Sequence, residues 1–136
     1  MPVRDQELID ALVQTSFATM AVLNRVAAEH DLSLTQLRVL GILSDRRIKM
    51  SELADFLGLD KSTVSGLVDR AEKRGLVQRA ANPVDGRAVD VFLSEAGIRL
   101  AERGRAEVAR AMSPVTGALT PAQARRLTAL LEQILV

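Results

Sequence analysis

Between Ser51 and Gly75 the chain reads SELADFLGLDKSTVSGLVDRAEKRG, a stretch that spells two short amphipathic helices broken by a glycine. Leu53, Ala54 and Leu57 share one helical face, and Ser51 is placed to cap that helix. Gly58 stops it. Asp60 can cap a second helix, whose apolar face is Val64, Leu67, Val68 and Ala71. Gly75 ends this helix after Lys73 and Arg74, whose charges suit a helix C-terminus. Two short helices joined by a tight glycine-containing turn make the helix-turn-helix pattern.

After Gly75 the period changes from helical to two. Val77 and Arg79 alternate with Gln78 and Ala80, and Val89, Val91 and Leu93 alternate with Asp90 and Phe92. Between them lies Asn82-Pro83-Val84-Asp85-Gly86-Arg87, a dense turn signal. This predicts a hairpin with its tip at Asp85-Gly86 and with Pro83 at the edge of the ladder or in the loop.

Helices flank this unit. A long one is expected from about Asp5, its N-cap, to Glu29, with Leu8, Ile9, Leu12, Val13, Phe17, Met20 and Ala21 at three- and four-residue steps. Ser33 and Gln36 have capping-box spacing and open the next helix, which Asp45-Arg46-Arg47 ends. Beyond the hairpin, a helix is expected from Ser94 to Met112, ended by Pro114. Thr120, Pro121 and Gln123 start the last one, with Leu127, Leu130, Leu131 and Ile134 at helical steps. The expected fold is mainly α with a small β-hairpin: a winged helix-turn-helix plus a helical dimerisation region. The apolar stripes of the terminal helices can face a second chain or pack within one.

Composition removes several function classes. The chain has no Cys and one His, His30, which excludes thiol chemistry and a Cys- or His-rich metal site, so no metal and no cofactor is expected. Three Phe, with no Trp or Tyr, give no stacking platform for single-stranded nucleic acid. No phosphate-binding glycine loop is present, and the carboxylate pairs fit helix surfaces, so the chain is not read as an enzyme. It shows no signal-peptide pattern or bilayer-length apolar run, which makes a cytoplasmic protein with no membrane partner the expectation. His30, at the end of the first helix, reads as a surface or capping residue.

The net charge of +1 means that any nucleic-acid binding must rest on local clusters. The outward side of the second helix of the motif carries Lys61, Ser62, Thr63, Ser65, Gly66, Asp69 and Arg70, mostly short donors and cations suited to phosphates and base edges. Gly66 sits inside that helix, where it suits a close backbone approach to DNA or a packing need. Arg87 lies near the hairpin tip, where a narrow minor groove would attract it. Asp85 could hold its guanidinium, although Asp-Gly is also an ordinary hairpin turn.

The chain resembles the MarR family, the regulators of the multiple-antibiotic-resistance type. Three stretches carry the resemblance: LSLTQLRVLGIL, MSELADFLGLDKSTVSGLVDRAEKRGLVQR, and DGRAVDVFLSEAG with Asp85, Arg87, Leu93, Ser94 and Gly97. The resemblance implies one domain over residues 1–136, with about 5–32 and 95–136 as dimerisation helices and about 33–94 as the DNA-binding lobe. It also implies a homodimer on a pseudo-palindromic double-stranded operator. The helix from Lys61 to Arg74 would enter the major groove, and Arg87, partnered by Asp85, the minor groove. Many members carry a larger polar or basic residue where this chain has Gly66, so one base contact can be missing. Many relatives bind small-molecule effectors between the two regions, which implies a candidate effector site here. Phe17, Met20 and Asn24 are the candidate ligand-binding residues, with core packing as their alternative role. The runner-up function is a winged-helix protein-interaction module; an Arg87 buried in an internal ion pair would favour it over DNA binding.

Overall fold

In the computed structural model, which describes residues 3–135, the chain runs α1 (Val3–Glu29), α2 (Leu34–Leu43), β1 (Ile48–Lys49), α3 (Met50–Leu57) and α4 (Lys61–Lys73). It continues through β2 (Val77–Ala81), β3 (Val89–Leu93), α5 (Glu95–Ala111), α6 (Ser113–Thr116) and α7 (Pro121–Ile134). This is a winged helix-turn-helix carried on longer helices. Among the described residues no helix is long and apolar enough to cross a membrane.

The caps act where local chemistry puts them. Ser33 and Gln36 form a reciprocal capping box on α2, and Thr120 and Gln123 do the same on α7. The Asp60 carboxylate accepts from the Thr63 N–H at 2.7 Å and starts α4. Gly58 at φ +65° and Gly75 at φ +74° take the left-handed turns that end α3 and α4, conformations a Cβ would oppose.

The core lies under the motif. α4 buries Val64, Leu67, Val68 and Ala71 against Leu53 and Leu57 of α3, Val39, Leu40 and Leu43 of α2, and Val77 and Val91 of the sheet. Each fully buried Val or Leu contributes roughly 1.5–3 kcal/mol, so this packing fixes the angle between α3 and α4. Among the described side chains of α1 only Val26 and Ala27 are buried, near its C-terminal end. Its N-terminal part leaves Leu8, Ile9, Leu12, Val13 and Phe17 exposed, and α7 has no buried residue.

Three of the sequence expectations shift by a few residues. Asp5 lies in the first turn of α1, where its charge suits the helix dipole, and is not its cap. Ser51 lies inside α3, whose N-cap is Lys49. Lys49 and Ile48 form β1, a short strand that pairs with Asp90 and Val91 and holds the chain extended until Met50. The hairpin is therefore part of a three-stranded antiparallel sheet in the order β1-β3-β2. Pro114 sits in the first turn of α6, while α5 already stops at Ala111.

A larger departure concerns β3. Strict alternation would put Asp90 opposite to Val91, yet both are buried, Asp90 at 3% exposure and Val91 at 0%, while Val89 is exposed. The central strand is covered on its second face by Arg47, whose guanidinium lies 4.6 Å from the Phe92 ring centroid and bonds Asp90.

Polar contacts join the motif to the long helices. Arg74, the C-cap of α4, donates to the Asp31 carbonyl at 2.8 Å and to the His30 carbonyl at 3.0 Å, clasping the α1–α2 corner. His30 is half-buried there, its Nε2 2.7 Å from Glu107 of α5. It is an internal link between helices, not a surface residue.

Candidate nucleic-acid interface

The exposed side of α4 is polar for its whole length. Lys61, Ser62, Thr63, Asp69 and Arg70 are exposed, and Ser65 and Gly66 half-buried. The Ser62 hydroxyl donates to Asp60 at 2.9 Å. Together with the Thr63 N–H, the larger influence, it holds the Asp60 carboxyl below its ordinary pKa. A Cβ on Gly66 would meet only the mobile end of Arg70, at 3.4 Å. No packing inside the chain demands glycine there.

Among the described residues Lys61, Arg70 and Arg87 have no ion-pair partner. Two acids lie one turn apart on this side of α4: Asp69 is bound by Arg79 of β2, which also reaches Glu72 at 3.9 Å. Arg79 neutralises the charge that would otherwise repel phosphate. Arg79 is a residue the sequence reading left without a role, although its place in the alternation of β2, level with Val77, was its signal.

The wing tip is built from polar contacts. Asn82 Oδ1 accepts from the N–H of Val84 at 3.0 Å and of Asp85 at 2.9 Å. The Asn82 N–H donates to the Ala88 carbonyl, and the Ala88 N–H to the Asp85 carbonyl, both at 2.9 Å. Asp85 touches Arg87 through its backbone: Oδ1 accepts from the Arg87 N–H at 3.2 Å. No side-chain pair between them is formed, and the Arg87 side chain is exposed. Beneath the loop, Asn82 and then Arg47 hold the Asp90 carboxyl below its usual pKa, against the opposing effect of burial.

A cleft of about 700 Å³ opens between α1, α2 and α5. Its apolar walls include Met20, Leu37, Ile98 and Val108, with Gly41 and Gly104 leaving room, and Arg38, Asp45, Glu102 and Arg105 bring charges of both signs. Of the three candidate ligand residues, Met20 lines this cleft. Phe17 is 69% exposed, and the Asn24 side chain donates to the Met20 carbonyl at 3.0 Å; neither is among the residues lining the cleft. Residues without an assigned role in the sequence, Gly41 and Gly104 among them, also line the space.

Comparison with known proteins gives consistent matches. Residues 30–88 match the profile of the MarR family. The chain is 31% identical over 113 residues to the HTH-type transcriptional repressor IacR of Pseudomonas putida, covering 82% of this chain and 68% of IacR. It is 39% identical over 66 residues to the HTH-type transcriptional regulator YfiV of Bacillus subtilis; the match covers 48% of this chain and spans only 41% of YfiV. Its fold matches that of a mutant MarR from E. coli complexed with operator DNA, at a TM-score of 0.72 and 26% identity over 98% of this chain and 95% of that one.

Proposed function

The chain belongs to the MarR family of transcriptional regulators, and from that premise we propose that it is a repressor that binds a pseudo-palindromic operator as a homodimer in the cytoplasm. The observation that carries the reading is the state of Arg87: exposed, without an ion-pair partner among the described residues, at the tip of a loop ordered by Asn82. That is the state expected of a side chain kept for DNA rather than for the protein's own interior.

α4 enters the major groove. Lys61 and Arg70 meet phosphates, the hydroxyls of Ser62, Thr63 and Ser65 supply short donors, and Gly66 lets the backbone come close. Arg87 enters the flanking minor groove, where potential is most negative. Two copies joined through the exposed apolar faces of α1 and α7 set the two α4 helices about one DNA turn apart. Occupying a promoter in this way blocks polymerase.

The cleft supports release by a small molecule. It lies between α1, on the dimer side, and α2, on the DNA side. A ligand with an apolar body and a polar end fits its walls. Such a ligand lowers DNA affinity when it favours a lobe spacing that does not suit the operator.

The test is fluorescence anisotropy of the full chain with duplex DNA from upstream of its own gene and with a scrambled duplex, over a range of salt. Preference for the native duplex, with affinity falling as salt rises, is the expected result. Equal weak binding to both duplexes would favour the protein-interaction module instead.

A further inference from the structure

We propose that Asp90 is a positioning residue for DNA binding: its buried carboxylate sets the amide orientation of Asn82, and through Asn82 the loop that presents Arg87. The proposal rests on the reading of Arg87 as a DNA contact and adds a residue that touches no DNA.

The donor and acceptor pattern leaves one arrangement. A carboxylate only accepts. One oxygen of Asp90 accepts from Arg47 Nε at 2.8 Å, and the other from Asn82 Nδ2 at 2.8 Å. Asn82 must therefore turn its NH2 toward Asp90. Its carbonyl oxygen is then aimed into the loop, where it accepts from the N–H groups of Val84 and Asp85. The Asp85 side chain in turn accepts from the Arg87 N–H. An unbroken line of hydrogen bonds leads from the buried strand to the backbone of Arg87.

Apolar packing does not order this loop. Val84 is 97% exposed, and a Cβ on Gly86 would meet nothing within 4 Å. A loop held by polar contacts alone is ordered only while every donor meets an acceptor. Ordering it before DNA arrives removes that entropic cost from binding. Arg47 completes the arrangement by neutralising Asp90 from the α2–β1 turn, so the buried carboxylate is not left unpaired.

The experiment exchanges donors and acceptors without changing size. In Asp90→Asn, an NH2 must face either Arg47 or Asn82. The first sets donor against donor. The second flips Asn82 and turns its NH2 against the amides of Val84 and Asp85. In Asn82→Asp, two carboxylates face each other. The double swap Asn82→Asp with Asp90→Asn restores every pair. The new amide on β3 would donate to the new carboxylate at the loop and accept from Arg47, while that carboxylate accepts from the loop N–H groups.

Anisotropy with duplex DNA from upstream of the gene reads the effect, each variant with and without Arg87→Ala, and thermal melting is followed alongside. Each single variant is expected to weaken binding about tenfold, the worth of one charge-assisted hydrogen bond. The swap recovers most of it. Arg87→Ala is expected to cost much in the parent and in the swap, and little in Asp90→Asn, because there Arg87 is no longer aimed. A purely structural role for Asp90 would leave the Arg87 increment the same in every background, and that result overturns the proposal. So does a swap that folds but loses the increment, a comparison that holds even where Asp90→Asn alone does not fold. If Arg87→Ala costs nothing in the parent, the wing reading itself is wrong and the proposal goes with it.

Discussion

Arg79 on the first wing strand holds Asp69 on the outward side of α4 in an ion pair. The pair joins α4 to the wing, the two elements proposed to contact DNA, and Arg79 Nη2 also lies 3.5 Å from the Ser65 carbonyl of α4. Removing the cation would leave an uncompensated carboxylate on the side of α4 proposed to face phosphate. Arg79→Ala is expected to weaken duplex binding about tenfold, and adding Asp69→Asn is expected to restore part of the loss. Anisotropy at fixed salt measures both. A double variant as weak as Arg79→Ala alone would mean that Arg79 acts only by packing.

Arg87 makes a different contribution. It is exposed and has no ion-pair partner among the described residues, so in the proposed complex it would carry its charge into a groove with no internal contact to give up. Replacing it by Ala should lower affinity, mainly on operators with A·T-rich flanks. It should also reduce the slope of log affinity against log salt by about one for each subunit. An Arg87→Ala protein that binds every duplex as the parent does would remove the wing from the interface.

The sequence made the fold legible wherever the signal was local. Caps, glycine stops and the change of period depend on residues within about one turn of each other. So Ser33 with Gln36, Asp60, Gly58, Gly75 and Thr120 could all be read in advance. What stayed hidden depends on partners far along the chain. Lys49 displaces Ser51 as the cap because β1 pairs with β3, some forty residues on. Asp90 is buried because Arg47, from another turn, covers it. Arg79 looked like a sheet residue until α4 was seen beside it. In the candidate site, the exposed positions Lys61, Ser62, Thr63 and Arg70 followed from the helical pattern of α4, and Arg87 from its place near the hairpin tip. The residues that hold them in place did not, and the cleft lies between helices far apart in sequence, lined in part by Gly41 and Gly104, which have no side chain to draw notice.

Gly97 illustrates a constraint that resemblance suggested and packing explains. Ser94 caps α5 by accepting from the Gly97 N–H at 3.0 Å, and its hydroxyl donates to the Gly75 carbonyl at 2.6 Å. This presses the first turn of α5 onto the start of β2. A Cβ on Gly97 would run into the Leu76 carbonyl oxygen, and that carbonyl is already engaged by the Ser94 N–H. Backbone cannot swing aside as a side chain can. Gly97→Ala is expected to destabilise the chain by about 1–3 kcal/mol, read from denaturant melts. A variant as stable as the parent would mean that α5 can slide on the sheet.

The cap of α4 predicts a pH dependence. Hydrogen bonds from Thr63, its N–H first, and then from the Ser62 hydroxyl lower the pKa of Asp60 in the folded chain. A depressed folded pKa means that the charged form stabilises. Its contribution is complete above the unfolded aspartate value, about 3.9, and is lost as pH falls through the lower folded value. Asn at this position still accepts the Thr63 N–H but carries no charge. The gap in melting temperature between the parent and Asp60→Asn should therefore be widest near neutral pH and close in acid. A gap independent of pH would show that the cap works without its charge.

The last helix provides the test of assembly. Leu130 is 51% exposed, and α7 as a whole buries no residue within its own chain. Leu127, Leu131 and Ile134 are exposed on the same helix. An apolar stripe that the chain does not use itself is what a second copy would cover, together with Leu8 and Leu12 of α1. A charge placed there costs the subunit's own core nothing but must be desolvated in a dimer. Leu130→Glu is expected to sediment as a folded monomer with unchanged helical content, and to lose operator affinity far more than a wing substitution does, because two half-sites are no longer linked. A Leu130→Glu protein that remains dimeric and keeps its operator would take α7 out of the interface and leave α1 to carry it.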